Sequence, residues 1–277
     1  MRVGFIGLGD QGEPMAEAIA EAGHELHVWA RRPEVMAPFV ERGAVGHASA
    51  AELAAEVEHL GLCVGSEADV RSVLFDGGVL EALPDGAVVA IHSTISPEAC
   101  QRIAAEAPPY GVDVIDAPVS GGRRVAQERG LLVMVGGEEA PVSRAMPVLE
   151  TYGNPVRHLG PIGSGQVVKV LNNLLMNANL TNSHLVLELG RHLGLDRAAL
   201  RELLLHGTSR SFALSALDDQ VIPGKLSAVT GRKDLAVARQ FIDGAGSPVD
   251  LLDQVVAIAL EVREHLDGSL SSTAARS

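Results

Sequence analysis

Residues 2–14 read RVGFIGLGDQGEP: a short apolar run, then glycines at 7, 9 and 12, then a stretch of good helix formers. Few local patterns restrict a fold as tightly. In a G-x-G-x-x-G turn between a strand and a helix, Gly7 permits the sharp turn and Gly9 lets the backbone approach a pyrophosphate. Gly12 allows the helix to pack closely on the strand. The helix N-terminus then offers unpaired amides to an anion. The spacing predicts a dinucleotide cradle built from Gly7, Leu8, Gly9, Asp10, Gln11 and Gly12, the alternative being a glycine-rich turn with no ligand.

The segments that follow alternate in the manner of a doubly wound α/β domain. Apolar runs at 2–6, 25–29, 59–64, 87–91, 112–116 and 131–135 predict six strands of a parallel sheet, with an edge strand near 156–159. Helical patterns fall at 13–22, 33–42, 49–57, 67–75 and 97–107. Ser66 and Ser96 stand at N-cap positions, Pro97 fits a first turn, and Pro108-Pro109 ends the last helix. After Gly165 the strand-like runs cease. From there to 193 no Pro and no Gly interrupts the chain before Gly190, which predicts a single helix of about 43 Å. That helix is apolar around most of its circumference and is expected to be buried. Further helices are expected at 197–206, 210–219, 232–244 and 248–266. The expected organisation is a nucleotide-binding domain over 1–164, an all-α domain over 165–267 and a fraying Ser- and Ala-rich tail over 268–277.

Composition narrows the function classes. A formal net charge of −13 disfavours nucleic acid and anionic membranes as partners, and 3% aromatic residues leave little for base stacking. Cys63 and Cys100 cannot make a disulfide framework or a four-cysteine zinc site, and the ten histidines show no clustered ligand spacing. No metal is therefore expected, and a reducing cytoplasm fits best. No apolar run approaches the ~18 residues of a membrane span, and residues 2–6 are interrupted too soon for a secretory signal.

Candidate site residues follow from position. After the second strand an NAD site would place a carboxylate on the ribose 2′-hydroxyl, but the chain reads Ala30, Arg31, Arg32. Two guanidiniums suit a 2′-phosphate, so NADP(H) is the preferred expectation and NAD(H) the lesser one; alternatively both arginines are solvated. Among the 22 basic residues only Lys169, Lys225 and Lys233 are lysines. An ammonium can be tuned to give up a proton near neutral pH and a guanidinium cannot. Lys169, Asn173 and Asn177 are spaced four apart, one helical turn each, on the face of the predicted long helix. Residues 116–122, DAPVSGG, end a strand in a turn whose Ser120 hydroxyl and Gly121 and Gly122 amides can line an anion pocket. A second polar turn, Ser93-Thr94, belongs at the same edge of the sheet.

The serial order FIGLGxxGxPMA, STISP, DAPVSGG, MVGG, GxxGxGQxxKxxxN and KDL resembles the β-hydroxyacid dehydrogenases over about residues 2–265. The resemblance implies a Rossmann-type doubly wound domain followed by an all-α domain, joined by a long interdomain helix. It implies Lys169 as the general acid/base, Asn173 as the amide placing the substrate, and Ser120, Gly121 and Gly122 as the carboxylate loop. Thr94, Lys233, Arg31, Val64 and Gly65 fall in the implied cofactor set. Gln11 and Gly65 depart from the family's usual Met and Pro, and His92 stands where an acidic or apolar residue is more common. Arg123, Arg124, Val125 and Arg129 replace small residues. An inward arginine there would accept a second anionic group on the substrate; outward arginines, the favoured reading, only decorate a helix. The expected activity is an NADP(H)-preferring interconversion of a small 3-hydroxy acid and its semialdehyde. An imine reductase, which typically lacks the lysine, and a non-catalytic NADP(H)-binding scaffold are the alternatives. A homodimer or homotetramer packed through the helical domain is expected.

Overall fold

The computed structural model describes residues 1–217, 233, 235–241, 257–258 and 261. The chain divides into two compact units, Met1–Lys169 and Val170–Ser277.

In the first unit β1 (Arg2–Ile6), β2 (Glu25–Trp29), β3 (Val45–Gly46), β4 (His59–Leu62), β5 (Val88–Ile91) and β6 (Asp113–Asp116) form an all-parallel sheet in the order β3-β2-β1-β4-β5-β6. Side chains alternate between its faces. Val3 and Phe5 join one core layer with Met15, Ile19 and Val28, whereas Ile6 joins the opposite layer with Leu53, Leu60 and Leu62. A sheet covered on both faces requires the near-continuous apolar strands seen in the sequence. Leu53, Leu60 and Leu62 are all fully buried, and truncating one of them to Ala would cost about 2–5 kcal/mol.

Two expectations about the sheet are corrected. The run at 131–135 does form a strand, β8 (Leu131–Val135), but not in the main sheet. It pairs antiparallel with β7 (Val119–Ser120) and parallel with β9 (Gly153–His158), and that three-stranded sheet also takes the segment expected as an edge strand. The sixth place in the main sheet goes to β3, only two residues long and exposed. Apolarity identifies a strand but does not name its neighbour.

The flanking helices are α1 (Gly12–Glu21), α2 (Ala37–Glu41), α3 (Ala50–Ala55), α4 (Glu67–Arg71), α5 (Val79–Ala82), α6 (Pro97–Glu106), α7 (Gly122–Gln127) and α8 (Glu139–Leu149). Ser66 Oγ accepts from Asp69 N at 3.1 Å and Ser96 Oγ from Ala99 N at 3.1 Å, so both predicted N-caps form. Past Arg71 the helix widens into a π turn over Ser72–Asp76.

α9 (Ser164–His192) is one helix of 29 residues, followed by α10 (Arg197–His206) and α11 (Phe212–Ala216). It is not buried all round. Leu180 and Leu187 are buried, but Leu171, Leu175, Leu185 and Leu189 are exposed on one stripe. Leu180, Leu187, Ala213, Leu214 and Leu217 form a separate small core in the second unit. The expected helix at 232–244 is described only at 233 and 235–241, where the backbone is helical. Most of the 248–266 expectation and the whole tail lie outside the described residues.

Candidate active site

A cleft of about 540 Å3 opens at the carboxyl ends of β1, β2 and β4. Gly7, Leu8 and Gly9 form one wall, Trp29, Ala30, Arg31 and Arg32 a second, and Cys63, Val64 and Gly65 a third. The three glycines of the loop differ in what they permit. Gly7 has φ +105°, and a Cβ there would lie 2.0 Å from the Cys63 carbonyl oxygen. A Cβ on Gly12 would lie 1.9 Å from the Gly7 carbonyl oxygen, so α1 can start against the loop only with glycine. At Gly9 an added Cβ meets nothing within 4 Å, which leaves open space over the loop. The residues present thus fit a dinucleotide: free room above Gly9, the positive end of the ten-residue α1 beyond it, and two guanidiniums at the end of β2. Asp10, Gln11 and Gly12 belong to the loop without lining this cleft.

Sequence reasoning missed the opposite side of the cleft. Ser49, Asp69, Ser72, Val73 and Asp76 line it from α3's N-cap, α4 and the π turn. Asp69 Oδ2 accepts from Ser66 Oγ at 2.6 Å, while Oδ1 lies 3.5 Å from Arg31 Nη1. The guanidinium of Arg31 remains 78% exposed, so this pair is worth little. No motif spacing marks these positions, because they converge only through the fold.

The DAPVSGG turn comes next to the strand ends. Gly121 takes φ +140° and Gly122 +73°, and a Cβ on Gly122 would meet nothing within 4 Å. Ser120 is half-buried, as is Thr94. Ser93 acts as a structural tie, because its Oγ accepts from Val64 N at 2.8 Å and links the end of β4 to the end of β5. His92 is buried, with Nδ1 donating to the Ala117 carbonyl at 2.7 Å and Nε2 accepting from Tyr152 Oη at 3.2 Å. Burial pushes its pKa down to about 4 against the pull of the Ala117 bond, so the ring is neutral and structural.

Asp116, at the end of β6, is wholly buried and caps α9 from outside the helix. Its Oδ1 accepts from Gly163 N at 2.6 Å and its Oδ2 from Gln166 N at 2.7 Å. Burial raises its pKa, and these backbone amides oppose the rise. The Gln166 side chain adds two bonds, accepting from Ile95 N at 3.3 Å and donating to the Ser93 carbonyl at 2.8 Å. The first turn of α9 is thereby fastened to the strand ends. Lys169 follows three residues later and is half-buried. Farther along α9, in the second unit, Asn173 is 8% exposed and its Nδ2 is buried without a partner. Asn177 Nδ2 donates to the Asn173 carbonyl at 2.7 Å. Lys233 is half-buried in helical backbone of the second unit, and Lys225 lies outside the described residues.

The arginines after Gly122 each meet a carboxylate of the first unit. Arg123 pairs with Glu13, Arg124 with Glu128 at 2.7 Å, and Arg129 with Glu21. Among the described residues no group of three or more His, Cys, Asp or Glu is placed to hold a metal ion, and no helix is long and apolar enough to cross a membrane.

Comparison with known proteins decides the family. The model of the NAD binding domain of 6-phosphogluconate dehydrogenase matches residues 2–160, and that of the NAD-binding domain of NADP-dependent 3-hydroxyisobutyrate dehydrogenase matches 163–276. The chain belongs to the β-hydroxyacid dehydrogenase family. This family member is 31% identical over 270 residues to 2-(hydroxymethyl)glutarate dehydrogenase of Eubacterium barkeri, covering 95% of the chain and 88% of that relative. It is 35% identical over 246 residues to 2-hydroxy-3-oxopropionate reductase of Escherichia coli, covering 87% and 84%. The crystal structure of 3-hydroxyisobutyrate dehydrogenase from Salmonella typhimurium superposes with a TM-score of 0.87 at 28% identity, over 97% of this chain and 95% of that one. As a member of the family, the protein is a nicotinamide-dependent oxidoreductase of CH–OH groups.

Proposed function

We propose that this family member interconverts a small 3-hydroxy acid and its semialdehyde, with NADP(H) as the preferred dinucleotide and NAD(H) the lesser one. The observation that carries the reading is the α9 face: a half-buried Lys169 just past a fastened helix start, and one turn on, an Asn173 amide whose donor has no protein partner. A buried donor left unpaired costs about 1–3 kcal/mol, so its retention fits an oxygen that arrives with the substrate. The bound nicotinamide supplies the hydride in reduction and takes it up in oxidation. In reduction the Lys169 ammonium gives its proton from Nζ to the oxygen that becomes the alcohol. In oxidation the neutral Lys169 amine takes the hydroxyl proton. Asn173 Nδ2 holds the reacting oxygen in line, and Ser120 Oγ with the Gly121 and Gly122 amides holds the carboxylate. Gly7 to Gly12, Ala30, Val64, Gly65, Thr94 and Lys233 hold the dinucleotide, and Arg31 and Arg32 hold its 2′-phosphate. The working form is a homodimer or homotetramer associated through the second unit.

The test follows loss of NADPH absorbance with a panel of small semialdehydes and 2-oxo acids, with NADH in parallel. Turnover favouring NADPH, reduced about 10²–10⁴-fold by Lys169→Ala, is expected. Tight NADPH binding with no turnover on any carbonyl substrate would overturn the reading in favour of an imine substrate or a scaffold.

A further inference from the structure

Arg123 is the one arginine of the 123–129 cluster that reaches the glycine loop. Both its terminal nitrogens are engaged, Nη1 with Glu13 Oε2 and Nη2 with Glu13 Oε1, each at 2.9 Å. Nη1 also donates to the Asp10 carbonyl at 3.4 Å and lies 3.8 Å from the Asp10 carboxylate. The pair is about one-third exposed, far less open than the ion pairs of a fully solvated helix face. Its two ends are informative. Glu13 occupies the first turn of α1, and Arg123 directly follows the Ser120–Gly122 turn.

A carboxylate in a helix's first turn normally helps the helix by meeting its positive end. At a helix that has to receive a diphosphate the same charge is a liability, because it occupies the potential that the anion needs. Asp10 adds a second negative charge to the same loop. The Arg123 guanidinium pairs with Glu13 and lies beside Asp10, so it offsets one of the two charges. It also holds Glu13 ionised, since its hydrogen bond keeps the Glu13 carboxyl below the usual carboxylate range. Without Arg123 the Glu13 carboxylate would stand uncompensated in the first turn of the helix that follows the glycine loop.

We infer that Arg123 is a positioning residue for cofactor binding: by clamping Glu13 and cancelling its charge, it keeps the N-terminus of α1 receptive to the diphosphate of either dinucleotide. The inference rests on the glycine loop being the dinucleotide site. It gives a role to a residue that departs from the family's small-residue pattern, and that role differs from the one proposed for Arg31 and Arg32. Those select a 2′-phosphate, whereas Arg123 acts on the part that NADPH and NADH share.

A charge-neutralising cycle tests it without turnover. Trp29 is the only tryptophan and lines the cleft, so quenching of its fluorescence reports binding of NADPH or NADH directly. Arg123→Gln is expected to weaken both dinucleotides about two- to fivefold and to the same extent, with the loss shrinking at high salt. Glu13→Gln should bind at least as tightly as the parent, and the double variant Glu13→Gln/Arg123→Gln should recover parental affinity. A double variant as weak as Arg123→Gln would mean that the pair merely braces α1 on α7, and would overturn the proposal. So would an unchanged Arg123→Gln. Gly9→Val separates the two readings, because it fills only the open space over the loop. If Gly9→Val binds NADPH like the parent, the cleft is not the dinucleotide site and the underlying reading falls with it. If Gly9→Val abolishes binding while the cycle shows no rescue, only the role of Arg123 is lost.

Discussion

His59 opens β4 with both ring nitrogens buried and without partners, an expensive way to fill a core position. Burial, reinforced by the charges of His92 and His24, pushes its pKa down to about 3, and burial takes His92 to about 4. In the unfolded chain both titrate near 6.5. The sign follows directly: above pH 6.5 both are neutral folded or unfolded and cost nothing, while below it the unfolded state gains protons that the folded state refuses. Stability is therefore lost as pH falls from 6.5 toward 4, with a limiting slope of about 1.4 kcal/mol per pH unit for each ring. His59→Leu removes one of the two contributions and the unsatisfied nitrogens with it. Urea denaturation at pH 7.5 and pH 5 should show a smaller drop for the variant than for the parent; an equal drop would assign the acid sensitivity to other groups. The Tyr152 and Ala117 bonds give His92 a reason to stay that His59 lacks.

At the scale of elements, the chemistry depends on how α9 begins. Asp116 closes the amide of Gly163, just before the helix, and that of Gln166 in its first turn, and the Gln166 side chain spans to β5's exit, so the height at which Lys169 emerges is set by strands β5 and β6 rather than by the helix alone. Asp116→Ala leaves Gly163 N and Gln166 N buried and unpaired, at about 1–3 kcal/mol each. The expected outcome is a lower Tm and a kcat at least tenfold down, with the dinucleotide Kd within twofold of the parent, because the glycine loop keeps its own supports. A Kd that shifts as much as kcat would refute the division of labour. The same elements show what the sequence can and cannot convey. Long apolar runs, N-cap serines and the glycine loop announce themselves locally, and α1, β1, β2, α6, α9 and α10 fall within a residue or two of expectation. β3 and β7, two residues each, carry no periodicity to detect. The place of β8 in a second sheet depends on pairing with β7 and β9, which apolarity does not encode. Likewise the glycine loop and the Arg31-Arg32 pair are readable, whereas Asp69, Asp76 and the Arg123–Glu13 clamp unite residues up to 110 positions apart that no spacing rule connects.

At the scale of the whole molecule, α9 carries an argument about association. Leu171, Leu175, Leu185 and Leu189 recur at 0, 4, 14 and 18 residues, which at 100° per residue confines them to a stripe about 80° wide. Leu175 is 62% and Leu189 57% exposed. Scattered surface leucines need no explanation, but an aligned row on one long helix does, because monomers rarely leave such patches open. A net charge of −13 would keep molecules apart unless an uncharged surface drew them together, and the stripe contains no ionisable side chain. Sedimentation equilibrium at micromolar concentration should give at least the dimer mass. Leu175→Glu and Leu189→Glu should each raise the dissociation constant tenfold or more by placing like charges across a two-fold interface, where every substitution counts twice. The effect on α9 itself should be small, since both positions face outward and glutamate is a good helix former. Loss of association with unchanged helical signal would place the interface on this face. A parent protein that sediments as a monomer would leave the stripe without a partner and remove the proposed assembly.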